Sequence, residues 1–199
     1  GARSRDGTRQ HRSGKAGGSN SMGWKNLGEK PVVHTPWFRL NLADVELPGG
    51  RRLDHYVLRL PPVVLAAVLD GEDRVLMLWR HRFIPDTMGW EIPSGIADPA
   101  EDLAAAAARE TFKESGWEPQ QLQPLIRLEC ASGLSDSVSH AYWTRQAIRR
   151  GDPPAAFESE RIDWVPLEQV PGLIAGGQIR SAVTAAVLMM LLHRRPGGG

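Results

Sequence analysis

The chain has 199 residues, 41% of them hydrophobic, and a formal net charge of +1 at pH 7. That length suits one globular domain with a small accessory element. The near-neutral charge gives no reason to expect a nucleic acid or an acidic membrane surface as a partner. The single cysteine, Cys130, excludes an intramolecular disulfide and favours a reducing compartment, and we interpret it as a small buried hydrophobe.

No segment has the pattern of a membrane span or a secretory signal. The longest apolar stretch, Ala182 to Leu192, is about half the roughly 20 residues that a spanning helix needs. Residues 1–21 are rich in glycine, serine and basic residues, which predicts a flexible tail or a remnant of an expression vector. We therefore expect a cytoplasmic protein.

The N-terminal segment, residues 22–60, contains a predicted β-hairpin. Alternating apolar residues lie on both sides of a turn at Pro48-Gly49-Gly50, in WFRLNLADVEL and RRLDHYVLRL. Because an isolated two-stranded hairpin is marginally stable in water, it must join the main sheet or pair with another subunit.

Residues 61–195 combine strand and helix patterns in one domain. The run VVLAAVLD suits a strand buried on both faces. Further strands are predicted at RVLMLWRHRF, WEI, LIRLEC, HAYWTRQA and RIDWVPL. One helix follows Gly95, and two more are expected at about 167–175 and 179–193. The predicted fold class is α/β (or α+β), with helices packed on the faces of a mixed β-sheet.

The spacing of charges between Gly95 and Trp117 predicts a metal-binding helix bounded by two tight loops. Asp98 could cap the helix, with Pro99 in its first turn. Alternatively Asp102 is the N-cap and residues 95–101 form a loop, which we favour. In either register Gly116 is a natural C-terminal stop.

Two faces of this helix are predicted from its periodicity. Ala105, Ala108 and Phe112 would form the core side, with Glu110 and Glu114 nearly opposite. Carboxylates one turn apart repel each other unless a cation lies between them. The small alanines would let the helix approach the sheet, so that the acidic pair reaches a cleft. Oxygen ligands on a rigid element suit Mg²⁺, with Mn²⁺ as the alternative.

These residues resemble the motif of the Nudix hydrolase family. The motif reads glycine-x5-Glu-x7-Arg-Glu-apolar-x-Glu-Glu-x-Gly-apolar, and seven of its nine fixed positions agree with this sequence. MLWRHRF, GWEIPSG, FESERIDWVPL and the hairpin are similar to the ADP-ribose pyrophosphatase branch, so the resemblance covers about residues 35–192. It implies a Nudix-type sheet sandwiched between helices. It also implies Mg²⁺-dependent cleavage of a nucleoside diphosphate linked to another moiety, with ADP-ribose or a nucleotide sugar as the expected substrate.

The resemblance also implies the roles of residues around the metal. Glu110, Glu114 and the backbone carbonyl of Ser94 would ligate the ion. Arg109 and Glu101 would pair and hold the catalytic loop in place.

A loop distant from the helix would help to activate water. Residues 151–160, GDPPAAFESE, supply Glu158 and Glu160, and either could orient water or complete the metal shell. The alternative is a solvated loop whose acids serve solubility.

The substrate-binding candidates are Arg82, Trp37 and Phe38. Arg82 falls where the family places an arginine near the phosphates, and the alternative is a surface charge at a strand end. In dimeric relatives, hairpin residues of one subunit hold the base. Trp37 or Phe38 is therefore a candidate if this protein forms the homodimer we expect.

Two positions depart from the motif. Thr111 replaces an apolar residue, and Lys113 replaces the first of two paired glutamates. At an effective dielectric constant near 20, a unit charge roughly 6 Å away is worth about 3 kcal/mol before screening, enough to weaken an additional Mg²⁺. Alternatively the lysine contacts a substrate phosphate. Lys113 also supports a second hypothesis, a catalytically weakened Nudix domain that binds a nucleotide as a sensor or scaffold.

Overall fold

The structure, a computed structural model, describes residues 23–194. The tail predicted at residues 1–21 lies outside that range. The strands are β1 (Lys25–His34), β2 (Arg39–Glu46), β3 (Arg52–Arg59), β4 (Val63–Val68), β5 (Arg74–Arg82), β6 (Thr87–Glu91), β7 (Ser94–Ile96), β8 (Trp117–Pro119), β9 (Gln123–Glu129), β10 (Val138–Thr144), β11 (Ala147–Arg149) and β12 (Arg161–Pro166). The helices are α1 (Leu103–Ser115), α2 (Val170–Ala175) and α3 (Ala182–His193).

The N-terminal segment forms a three-stranded antiparallel sheet in the order β1-β2-β3. The predicted hairpin is present as β2 and β3, and its turn contains Gly49 and Gly50 at φ of 90° and 84°. Glycine suits this turn because other residues rarely adopt positive φ. The strand β1 was not predicted. Its Glu29 accepts hydrogen bonds from Arg59 of β3, which lower the pKa of Glu29 to about 2.

The N-terminal sheet is attached to the loop between β9 and β10. The Leu58 N–H donates to the Leu134 carbonyl at 2.9 Å, and Arg59 Nη1 lies 3.1 Å from Asp136 Oδ2. The predicted need for a docking partner is therefore met within this chain.

Strand β4 organises the rest of the fold because it is buried on both faces, as predicted. It lies in a mixed sheet of order β7-β4-β10-β9, parallel to β10 and antiparallel to β7. Leu65 and Ala67 belong to the same core cluster as Leu188 of α3. The alternating residues Val64 and Ala66 pack with α1 instead. Helices therefore cover opposite faces of this sheet, which confirms the predicted α/β class.

A second sheet, β12-β5-β6, and a two-stranded sheet, β11-β8, complete the domain. The strands β7, β8 and β11 were not predicted, since three residues are too few to display a period. The last helix begins at Ala182, after an N-cap at Ser181, rather than near Ile179.

Two further observations concern exposure. Cys130 is exposed, so its interpretation as a buried hydrophobe was wrong. Among residues 23–194, no helix is both long enough and apolar enough to cross a membrane.

Candidate active site

Asp102 is the N-cap of helix α1, which is the register that we favoured. The Asp102 side chain accepts a hydrogen bond from the Ala105 N–H at 2.9 Å, satisfying one of the free donors of the first turn. At the other end, Gly116 adopts a left-handed conformation with φ of 73°, and its N–H donates to the Phe112 carbonyl. These caps fix the rotational position of every charged side chain between them.

The predicted core face of this helix was wrong. Ala105 is exposed and Phe112 is only half-buried, whereas Ala106, Ala107 and Thr111 are buried. The reason is that α1 packs on β4 through Ala106 and Ala107, and the buried positions 106, 107, 110, 111 and 114 form one stripe of the helix. The Thr111 hydroxyl donates to the Ala107 carbonyl at 2.7 Å, so its polar group is satisfied inside the core.

The acidic pair is consequently buried within this stripe instead of lying opposite to it. Glu110 is 6% exposed and Glu114 is 2% exposed. Buried carboxylates are unfavourable unless hydrogen bonds and opposite charges compensate them. Their presence beside a core face indicates a specific role.

Glu114 is held by two groups on the neighbouring strands. Its Oε1 accepts from Arg80 Nη1 at 2.9 Å, and its Oε2 accepts from the Ser94 N–H at 2.9 Å. Burial raises the pKa of Glu114, and the hydrogen bond from Arg80 opposes that increase. Ser94 thus contacts one of the predicted metal ligands through its backbone.

Arg80, which the sequence did not predict as a site residue, is 3% exposed. Its Nε and Nη2 are buried without a hydrogen-bond partner among the described residues. Side chains alternate along β5, so residues 80 and 82 lie on one face of the strand. This alternation is the sequence signal that could have identified Arg80 beside the predicted Arg82.

Glu110 packs directly against the backbone of β7. A Cβ atom at Gly95 would lie 2.3 Å from Cγ of Glu110, so only glycine admits this carboxylate. Arg109 Nη1 contacts Glu110 Oε1, and the same guanidinium donates to both oxygens of Glu101 at 2.8 Å. The expected Arg109–Glu101 pair is present, and a 3.2 Å bond to the Ile96 carbonyl fixes it to β7.

Lys113 lies between the helix and the 151–160 loop. Its Nζ is 3.3 Å from Glu110 Oε2 and 3.6 Å from Glu158 Oε1. Burial lowers the pKa of Lys113, but the charge of Glu110 and its hydrogen bond outweigh this effect and raise it.

An open cleft of about 520 Å³ brings most of the predicted site residues together. Its lining includes Trp37, Arg80, Arg82, Ser94, Gly95, Arg109, Glu110, Lys113, Glu114 and Glu158. Three predicted site residues, Glu101, Glu160 and Phe38, do not line this cleft. Glu160 lines a neighbouring pocket with Glu158, and Phe38 lines an adjoining pocket of about 490 Å³ that shares Trp37 with the cleft.

The substrate-binding candidates differ in their environment. Arg82 donates from Nε to Glu91 at 3.0 Å and 3.2 Å, and its side chain is 48% exposed. Trp37 is 71% exposed and reaches the cleft of its own chain. A second subunit is therefore unnecessary to bring Trp37 to the site.

The donor set fits one hydrated divalent ion. Both buried carboxylates contact the Ser94-Gly95 backbone, because Glu114 accepts the Ser94 N–H and Glu110 lies where a Cβ of Gly95 would be. Within residues 23–194, no group of three or more His, Cys, Asp or Glu side chains is placed to hold a metal by itself, so an ion here would take its remaining ligands from backbone, water and substrate oxygens. Mg²⁺ suits such a site because it keeps several waters and takes substrate phosphate oxygens as ligands.

Comparison with known proteins identifies the family. Residues 59–186 match the NUDIX domain, and residues 24–58 match the nucleoside diphosphate sugar hydrolase N-terminal domain. The chain therefore belongs to the Nudix family and is an enzyme of the pyrophosphatase class. The resemblance to its ADP-ribose pyrophosphatase-like branch is confirmed.

Three similar proteins illustrate this placement. A CMP-5'-(N-acetyl-N-hydroxy-3-aminopropyl)phosphonate hydrolase of Streptomyces rubellomurinus is 36% identical over 171 residues, covering 86% of this chain and 83% of that protein. An ADP-ribose pyrophosphatase of Mycobacterium tuberculosis is 27% identical, covering 75% of this chain and 73% of that one. The crystal structure of an ADP compounds hydrolase shares the fold, with a TM-score of 0.76, 19% identity and coverage of 88% and 96%.

Replacing Gly95 with alanine should displace Glu110, because the new Cβ overlaps its side chain. We expect hydrolysis to fall about 100-fold, the effect of misplacing a reacting group by about 1 Å. Gly71→Ala is the matched control, since a Cβ there meets nothing within 4 Å. The measurement is the steady-state rate of hydrolysis by each variant. Equal rates would contradict the close packing of Glu110 on Gly95.

Replacing Arg80 with methionine should leave the Glu114 charge buried without its partner. We expect a loss of about 3 kcal/mol in the free energy of unfolding, measured with urea at pH 7. Arg82→Met, which breaks a half-exposed pair, should cost about 1 kcal/mol or less. Adding Glu114→Gln to Arg80→Met should recover much of the loss, whereas strictly additive effects would show that the pair does not interact.

Proposed function

We propose that this protein is a Mg²⁺-dependent hydrolase of nucleoside diphosphates linked to another moiety, with ADP-ribose or a nucleotide sugar as the preferred substrate. The products would be a nucleoside monophosphate, AMP in the case of ADP-ribose, and a sugar phosphate. The single observation that carries this proposal is the buried pair Glu110–Glu114 beside the Ser94-Gly95 backbone, at the base of a cleft with cationic walls.

Glu110, Glu114 and the Ser94 carbonyl would hold the metal in this proposal, with Mn²⁺ as an alternative ion. The bound metal would neutralise charge that develops on the phosphate oxygens during cleavage. Arg109 and Glu101 contribute indirectly, because their ion pair ties the helix to the loop that precedes it.

Three other residues are proposed to act on the substrate. Arg82 would bind phosphate oxygens, and Trp37 would stack on the base, with Phe38 lining the adjoining pocket. Glu158 is favoured over Glu160 for orienting the attacking water, because Glu158 lines the same cleft as the metal ligands. The names of the relatives, hydrolases of ADP-ribose and of a CMP-linked phosphonate, support this substrate class.

We further propose a cytoplasmic homodimer that pairs through the N-terminal sheet. Leu27, Val32 and Tyr56 of this sheet and Trp24, which directly precedes it, are between 47% and 62% exposed, which supports burial against a second copy. Light scattering should give twice the 21.9 kDa chain mass. A concentration-independent monomer would exclude the dimer, although Trp37 would still line its own cleft.

The test of function is turnover of a substrate panel with Mg²⁺. The panel should contain ADP-ribose, nucleotide sugars, dinucleotides, nucleoside triphosphates and a CMP-linked phosphonate. We expect phosphoanhydride cleavage of at least one diphosphate-linked compound, and a decrease of at least about 100-fold in Glu114→Gln from lost metal stabilisation. Glu72→Gln is the control, because that side chain is 74% exposed and lies outside the cleft.

Tight binding of one compound without turnover of any would contradict the hydrolase proposal. That outcome would instead support the nucleotide-binding sensor or scaffold that Lys113 suggested.

A further inference from the structure

Lys113 joins the metal-site helix to the 151–160 loop at two points. Its ammonium lies 3.3 Å from a carboxylate oxygen of Glu110 and 3.6 Å from one of Glu158. Its backbone carbonyl accepts the Ala155 N–H at 3.0 Å. The loop is therefore attached to the helix at Lys113, the residue that departs from the Nudix motif.

The cleft balances its carboxylates with side-chain cations. Arg80 pairs with Glu114, Arg109 pairs with Glu110, and Lys113 contacts both Glu110 and Glu158. Bridging carboxylates from two separate elements is a role that divalent ions commonly fill. Here a side chain with a permanent single charge occupies the bridging position.

We propose that Lys113 replaces a second divalent ion in this cleft, so that one ion binds at Glu110 and Glu114 while the lysine bridges Glu110 to Glu158. The inference rests on the proposed function in one respect, namely that Glu110 and Glu114 bind a divalent ion. It assigns Lys113 as a positioning residue that holds the 151–160 loop on α1 without metal.

Electrostatics explains why the lysine and a second ion exclude each other. A divalent ion between Glu110 and Glu158 would lie within a few ångströms of the ammonium. Even with solvent screening of a side chain that is 44% exposed, this repulsion should weaken such an ion by about tenfold or more. An acidic residue at the same place would attract the ion instead.

Counting bound Mn²⁺ tests the proposal without any turnover. Wild-type protein titrated with Mn²⁺ and followed by electron paramagnetic resonance should bind one ion per chain. Lys113→Glu should bind one more, because it removes the ammonium and adds a ligand. Lys113→Gln should still bind one, about tenfold more tightly, because it removes the charge but adds no ligand for a second ion. Lys25→Glu makes the same charge change on the N-terminal sheet, outside the cleft, and should match wild type.

Hydrogen exchange of the 151–160 amides gives a second readout. In the wild type, protection of Ala155 should be the same with Mn²⁺ and with a chelator, because the lysine holds the loop. In Lys113→Gln the loop should exchange at least about tenfold faster in both conditions. In Lys113→Glu the protection should depend on Mn²⁺.

Two results would overturn the inference: two or more ions bound by wild type, or the same ion count in wild type and Lys113→Glu. If Lys113→Glu fails to fold, the tighter binding and faster loop exchange of Lys113→Gln decide the question. Turnover by a wild type that binds two ions would reject this inference and keep the proposed function. One bound ion without turnover of any substrate would keep this inference and reject the proposed hydrolase function.

Discussion

The structure depends on keeping two carboxylates, Glu110 and Glu114, buried against a β-sheet. Each is compensated by a neighbouring cation, and Glu114 also accepts a backbone N–H from Ser94. Removing either compensation would leave a buried charge whose cost is several kcal/mol. Such an arrangement is unfavourable for stability alone, and the divalent ion that we propose at Glu110 and Glu114 would give it a function.

The fold supplies the rigid elements that this arrangement needs. β4 is buried on both faces, so α1 packs on one side while α3 and its cluster pack on the other. Because β7 pairs with β4, Gly95 is held at the point where Glu110 approaches. Loop 151–160 carries Glu158 to a cleft that is otherwise lined mainly by residues of β4, β5, β7 and α1.

Much of this architecture could be predicted from the sequence, and the exceptions have physical reasons. The Pro48-Gly49-Gly50 turn and the apolar run of β4 carry strong local signals, as do the caps Asp102 and Gly116. The buried face of α1 could not be read from alanines and Phe112, because three-dimensional packing selected a stripe that includes glutamates. Arg80 and the Lys113 bridge depend on contacts between residues 34 and 45 positions apart, which no local pattern encodes.

The function proposed for this cleft requires that Glu110, Glu114 and the Ser94 carbonyl form one divalent metal site. Anomalous diffraction from crystals soaked in Mn²⁺ would locate such an ion. We expect one strong peak about 2.1 Å from an oxygen of each of these three residues, with Lys113 still between Glu110 and Glu158. A principal peak at other residues, or one that lacks Glu114 as a ligand, would exclude this metal site.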